Sequence, residues 1–283
     1  MSEGLNRNED CPYIEDGSNS HCLDVYWPRG IPGPLPIAIH FHGGAFIAGD
    51  RTKTREYCQL LALRGFAVFN VDFRIVDGRT VTLREIVTDA TDAMYWIAAH
   101  CTDYGADCRK VFLTGTSSGA NLAVWSALIA NGTRLPAALE LKPPPFRVIG
   151  IGCHSGIFQI RDGTLRMWAV RHLIFRPGER QGPVAQALDF WSNHDLNSLP
   201  PVFLDTSDDD FMQNMTDRFA ELLTANRVPH RVMTFDTSSH GKLVHAFAAT
   251  HPELPESVRA MSAMVLYFRE ALSDPAFSAR TSS

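Results

Sequence analysis

The pentapeptide Gly115-Thr-Ser117-Ser-Gly119 is where residue types and spacing in this chain could most directly do chemistry. It follows an apolar run, Lys110–Thr114, that predicts a strand, and it opens a small-residue run from Ser118 to Ala130 that predicts a helix. A serine on such a strand-to-helix turn is lifted clear of the sheet, and the two glycines let strand and helix approach closely. The chemistry it suggests is nucleophilic attack on a carbonyl carbon. That attack leaves negative charge on the carbonyl oxygen, which backbone N–H groups on a glycine loop can receive without side chains in the way. His42-Gly-Gly-Ala-Phe46, directly after another predicted strand, has that composition. Gly43 and Gly44 are its candidate donors, with the Ser118 amide as a third at the start of the helix.

A serine hydroxyl is a weak nucleophile unless a histidine takes its proton and an acid orients that histidine. Of the eleven histidines, seven follow the turn: His154, His172, His194, His230, His240, His245 and His251. If the order is serine, acid, histidine, with the histidine on a loop after the last strand, His240, His245 and His251 remain. Candidate acids are Asp205, Asp208, Asp209 and Asp210, at the end of a predicted strand Pro201–Asp205 or just beyond it, where sites form in parallel sheets.

The elements that must position these residues read as strands alternating with helices. Strands are predicted at Cys22–Trp27, Pro36–His42, Phe66–Asp72, Lys110–Thr114, Arg147–Gly152, Pro201–Asp205 and His230–Phe235. Helices are predicted near Thr52–Arg64, Leu83–His100, Ser118–Ala130, Met215–Ala225 and Glu256–Ala271. This order implies an α/β fold: a single doubly wound, mainly parallel sheet with helices on both faces. Residues 1–21 read as a polar leader and 22–283 as the domain. Residues 159–198 fit no simple strand-helix step and read as a small cap insertion. Its aromatics Trp168, Phe175, Phe190 and Trp191 would either line a pocket or pack as a small core cluster.

Composition supports a folded enzyme-sized unit. The 283 residues are 45% apolar, 10% aromatic and 20% charged, which excludes disorder, collagen and coiled coil. A net charge of −5 without a long basic run argues against nucleic acid as a partner. Six cysteines without a CxxC pair argue against a disulfide scaffold or a zinc site and for free thiols, and no stretch approaches the ~20 apolar residues of a membrane span. The polar, acidic N-terminus lacks the features of a secretory signal, so a cytoplasmic protein is expected and the N-x-T sequons at Asn131 and Asn214 carry no weight.

Several segments together resemble the α/β-hydrolase superfamily, and within it the esterases of the hormone-sensitive-lipase type with their kynurenine-formamidase-like and feruloyl-esterase-like relatives. They are Leu23-Asp-Val-Tyr-Trp-Pro28, His42-Gly-Gly-Ala-Phe46, Val71-Asp-Phe-Arg74, Gly115 to Ala123, Ser155-Gly-Ile-Phe158, Leu199 to Phe203 through Asp210, and His245-Ala-Phe247. The resemblance selects His245, which stands in the H-G-F-like tripeptide, and places the acid at Asp210, with Asp208 and Asp209 as alternatives. It implies a serine carboxylesterase acting through Ser117, His245 and Asp210, with an oxyanion hole at Gly43, Gly44 and Ser118 and with neither metal nor organic cofactor. Its partner would be a small-molecule ester; a homodimer is left open. With no large N-terminal cap, an open pocket and short or compact acids are expected. One alternative is an arylformamidase acting on N-formylkynurenine. Another is a noncatalytic small-ligand receptor on the same fold. The chain departs from the family pattern at Ala45, Thr116, Ser118 and the pair Phe211-Met212, where Pro-Leu is common.

Overall fold

The computed structural model describes residues 4–159, 172, 174–175, 178, 182–192 and 195–273. Eight strands form one sheet: β1 (Leu5–Pro12), β2 (Cys22–Pro28), β3 (Leu35–Phe41), β4 (Ala67–Val71), β5 (Ala106–Thr116), β6 (Val148–His154), β7 (Val202–Ser207) and β8 (His230–Phe235). Their order across the sheet is β1-β2-β4-β3-β5-β6-β7-β8. The first two pair antiparallel and β2 meets β4 antiparallel, whereas every junction from β4 to β8 is parallel.

Helices α1 (Arg55–Ala62), α2 (Leu83–His100), α3 (Ser118–Asn131), α4 (Arg134–Leu139), α5 (Pro183–Leu188), α6 (Gln213–Ala225), α7 (Thr237–His240), α8 (Phe247–Thr250) and α9 (Pro255–Ser273) connect and cover the strands. Both faces of the sheet are buried, and β3 shows how. Ile37, Ile39 and Phe41 join the core made with α2, α3 and α6. Ala38, between them, joins the core on the opposite face, made with α1 and α9. Strands buried on both faces carry near-continuous apolar runs, which is why most were legible as strands. The most deeply placed helix is α3, whose residues Ser118 to Ala130 are all buried.

The leader was read differently. Leu5–Pro12 is the antiparallel edge strand of the same sheet, in register with β2 and bulged between Asn8 and Cys11. Only Leu5 and Cys11 of this strand are buried. An edge strand that shows one face to water is polar by composition, and that polarity hid the strand. Its Asp10 also reaches inward to Arg51, a buried arginine that pairs with Asp24 and Asp72 as well. One guanidinium thus ties together β1, β2 and the loop after β4.

Of the insertion at 159–198, the described aromatic residues pack into or against the main core. Phe175 and Phe190 lie in the main core, and Trp191 packs against it. The Trp125 indole N–H donates to the Leu188 carbonyl at 2.9 Å. Trp168 lies outside the described residues.

The strand-to-helix turn at Ser117 is closely packed. A Cβ on Gly115 would lie 2.1 Å from the Gly119 carbonyl oxygen, and one on Gly119 would lie 2.1 Å from that of Phe41. These two positions accept no side chain, so the ends of β3 and β5 meet the start of α3 backbone to backbone. Ser117 itself has φ 55° and ψ −117°. For a residue with a Cβ this is a strained conformation, costing on the order of 1–3 kcal/mol.

Two outcomes follow for stability. Replacing Arg51 with Met leaves Asp72 buried without its cation and Asp24 with only the part-exposed Arg55, 3.6 Å away, so urea unfolding should show a loss of about 3–5 kcal/mol, and an unchanged midpoint would contradict this role. Ser117→Gly should be more stable than Ser117→Ala by about 1 kcal/mol in thermal unfolding, because glycine alone adopts the turn without strain; equal stability would show that the turn stores none.

Candidate active site

Ser117 stands between β5 and α3 with its backbone fixed on both sides. Its amide donates to the His154 carbonyl at 2.8 Å, and its carbonyl accepts from the Ile157 amide at 3.2 Å. The Asn121 side chain, one turn into α3, donates to the Ile157 carbonyl at 2.6 Å. The segment Ser155–Phe158 is therefore clamped against the turn, which accounts for its presence among the family-like motifs.

His245 lies on the loop between α7 and α8. Its Nε2 is 2.8 Å from Ser117 Oγ and its Nδ1 is 2.7 Å from Asp210 Oδ1. An ionised carboxylate only accepts, so Nδ1 carries the proton toward Asp210, and Nε2 presents its lone pair to the serine hydroxyl. The Asp210 carboxylate also accepts the Met212 amide at 2.8 Å and the Thr206 hydroxyl at 3.3 Å. Burial alone would raise the Asp210 pKa; hydrogen bonds from His245, Ser155 and the Met212 amide outweigh it and hold the carboxyl below its ordinary value.

The other candidates lie elsewhere. Asp205 is fully buried and bonds His154 at 2.6 Å, not His245. Asp208 and Asp209 are exposed, and Asp208 caps the Thr237 amide at 2.9 Å. His251 is exposed beside Glu253 at 3.5 Å. His240 ends α7, and its side chain lies outside the described residues.

The loop after β3 runs beside the serine. A Cβ on Gly43 would stand 2.9 Å from the Thr116 carbonyl oxygen and 3.1 Å from Ser117 Cβ. Gly44, at φ 126°, could carry none, since that atom would fall 1.8 Å from the Ala48 carbonyl oxygen. Ala45 follows at φ 53°, so a residue with a Cβ also takes the left-handed conformation here. His42 braces the loop: its Nδ1–H donates to the Gly43 carbonyl at 2.7 Å, and its ring stacks on Phe73 at 4.2 Å. Burial lowers the His42 pKa and favours the neutral ring. Asp72, held by Arg51, lies 3.5 Å from the far nitrogen of that ring.

A cavity of about 630 Å³ opens over these groups. Its walls include Gly43 to Ile47, Thr116, Ser117, Ile157, Phe211, Met212 and His245, and among the described residues none from 172–198 lines it. Of the described residues, no cluster of three or more His, Cys, Asp or Glu could hold a metal ion, and no helix is long and apolar enough to cross a membrane. All six cysteines are free thiols.

Two contributors escaped the sequence reading. The Ser155 hydroxyl accepts the Ala246 amide at 3.0 Å and also bonds Asp210, so it joins the acid to the histidine's own loop. Behind the turn, Tyr57 Oη, His154 and Asp205 form a fully buried chain with links of 2.7 and 2.6 Å. The Ser155-Gly156 motif and the neighbouring His154 were visible signals, but nothing local marks which partners they meet across the sheet.

Comparison with known proteins shows what the chain is similar to. A family profile described as BD-FAE matches residues 23–148. Esterase LipI of Mycobacterium tuberculosis is 25% identical over 238 residues, covering 78% of this chain and 71% of that protein. Carboxylesterase NlhH of the same species is 25% identical over 80% of this chain and 72% of its own length. The crystal structure of esterase B from Lactobacillus rhamnosis superposes with a TM-score of 0.86 at 22% identity, covering 99% of this chain and 90% of that one. Sheet order and these likenesses agree: the chain has the α/β-hydrolase fold and is a carboxylic ester hydrolase similar to bacterial esterases and carboxylesterases.

Proposed function

We propose that this carboxylic ester hydrolase works through an acyl-enzyme on Ser117, with His245 as the base and Asp210 as its orienting acid. The observation that supports this best is the continuous chain Ser117 Oγ, His245 Nε2, His245 Nδ1, Asp210 Oδ1, with links of 2.8 and 2.7 Å. Ser117 Oγ bonds to the carbonyl carbon while its proton passes to His245 Nε2. The resulting imidazolium is stabilised by the carboxylate that already holds its other nitrogen. Collapse of the tetrahedral intermediate breaks the bond to the alcohol oxygen, which takes the proton from Nε2 and departs. Water then repeats the sequence on the acyl-enzyme, releasing the acid and restoring the serine.

In this reading the amides of Gly43, Gly44 and Ser118 receive the oxyanion. Each such donor is worth about 2.7–4 kcal/mol in the transition state, because it is preorganised and shielded from water. The cramped position of Gly43 against Thr116 and Ser117 supports it, as does the bracing of its carbonyl by His42. The cavity volume, about 630 Å³, suits short or compact acids. The named relatives are esterases, so ester rather than formamide hydrolysis is carried forward.

Ser117→Ala should abolish turnover of p-nitrophenyl acetate while circular dichroism and melting stay close to wild type; retained turnover would refute the assignment. Asp210→Asn replaces an acceptor with a group that can donate to His245 and favour the wrong tautomer, so kcat should fall by about 10⁴ with little change in fold. The stability that Asp210 contributes is present above its unfolded pKa near 3.8 and is lost as pH falls through its lowered folded value. The stability gap between wild type and Asp210→Asn should therefore narrow below about pH 3.8; a gap constant with pH would contradict the depressed pKa.

A further inference from the structure

We propose that Phe211 is the platform for the alcohol half of the ester, and that the alcohol it selects is aromatic, of the arylmethanol class. This rests on the reading of Ser117 and His245 above. Phe211 follows the acid directly, in a turn closed by hydrogen bonds from the Asp210 amide to Ser207 and from the Gln213 amide to Asp210. The side chain is 65% exposed, the most open of the large apolar residues described, and it lines the cavity together with Ile47. A phenyl ring that open adds little to the core. Covering it with an apolar ligand recovers about 25 cal/mol for each Å² removed from water.

Direction comes from the chemistry. The carbonyl carbon bonds to Ser117 Oγ and its oxygen turns to the Gly43, Gly44 and Ser118 amides. The alcohol oxygen must meet His245 Nε2, since that nitrogen returns the proton to it. Whatever is attached to the alcohol oxygen therefore runs along the imidazole, and the ring packed on that imidazole is Phe211, with centroids 4.6 Å apart and planes at 45°. An aryl group one methylene from the alcohol oxygen can lie against this exposed ring in an offset or edge-on pairing. Phe211 also opens the pair Phe211-Met212, which stands where a Pro-Leu pair is common after the acid, so the platform belongs to this chain.

The test compares kcat/KM for benzyl acetate and methyl acetate in wild type, Phe211→Ala and Phe211→Tyr. Both esters form the same acetyl-enzyme, so their ratio isolates the alcohol contact. Phe211→Ala should lower the benzyl-to-methyl ratio roughly three- to tenfold, and Phe211→Tyr should restore it. If Phe211 merely propped His245, both esters would lose activity together and the ratio would stay fixed, overturning the proposal. A ratio unchanged with both rates intact overturns it equally. Wild type that hydrolyses neither ester would instead refute the serine-esterase reading on which the proposal rests.

Discussion

Everything at this site depends on a backbone contact with no room for a side chain: the start of α3 pressed against the ends of β5 and β3 at Gly115 and Gly119. That contact forces Ser117 into a positive-φ turn and brings the loop carrying Gly43 within reach of its side chain. The proposed nucleophile and the proposed oxyanion donors are thus two consequences of one packing constraint. The strain is held because the surroundings over-determine it: the Ser117 amide and carbonyl are both bonded, and α3 is buried along nearly its whole length.

Polar groups that never face the cavity complete the alignment. Arg51 joins strands β1 and β2 to Asp72, and Asp72 sits beside the histidine that braces the glycine loop. On the other side, Ser155 links Asp210 to the loop of His245, while His154 supplies the carbonyl that holds the Ser117 amide. In a low-dielectric interior such networks are costly unless every member is satisfied, but when they are, they fix relative positions to fractions of an ångström. Attack and proton transfer by serine and histidine need that accuracy.

What could be read from the sequence was whatever is encoded locally. The helix Leu83–His100 and the strand His230–Phe235 match their predicted bounds, because periodicity and flanking breakers are local signals. Ser117 was legible as a candidate for the same reason, since a strand, a turn and a helix follow one another there. The candidate acid was harder: four aspartates crowd the end of one strand and the loop beyond it, and only three-dimensional placement separates Asp210, bonded to His245, from Asp205, bonded to His154. The edge strand Leu5–Pro12 was missed because its solvent-facing position leaves it polar, and its anchor Arg51 lies 41 residues beyond Asp10. Ser155 and Phe211 were visible as motif and as departure, but their contacts, with Asp210 and Ala246 for the one and with His245 for the other, join residues distant in sequence.

The central claim is that Ser117 is the nucleophile of ester hydrolysis in this chain. The most direct measurement is to treat the protein with a p-nitrophenyl alkylphosphonate, follow release of p-nitrophenol, and locate the adduct by peptide mass spectrometry. The account predicts one equivalent released, a single phosphonyl adduct on the peptide containing Ser117, and loss of esterase activity in proportion to labelling. Full labelling at another residue, or full esterase activity with Ser117 modified, would contradict it.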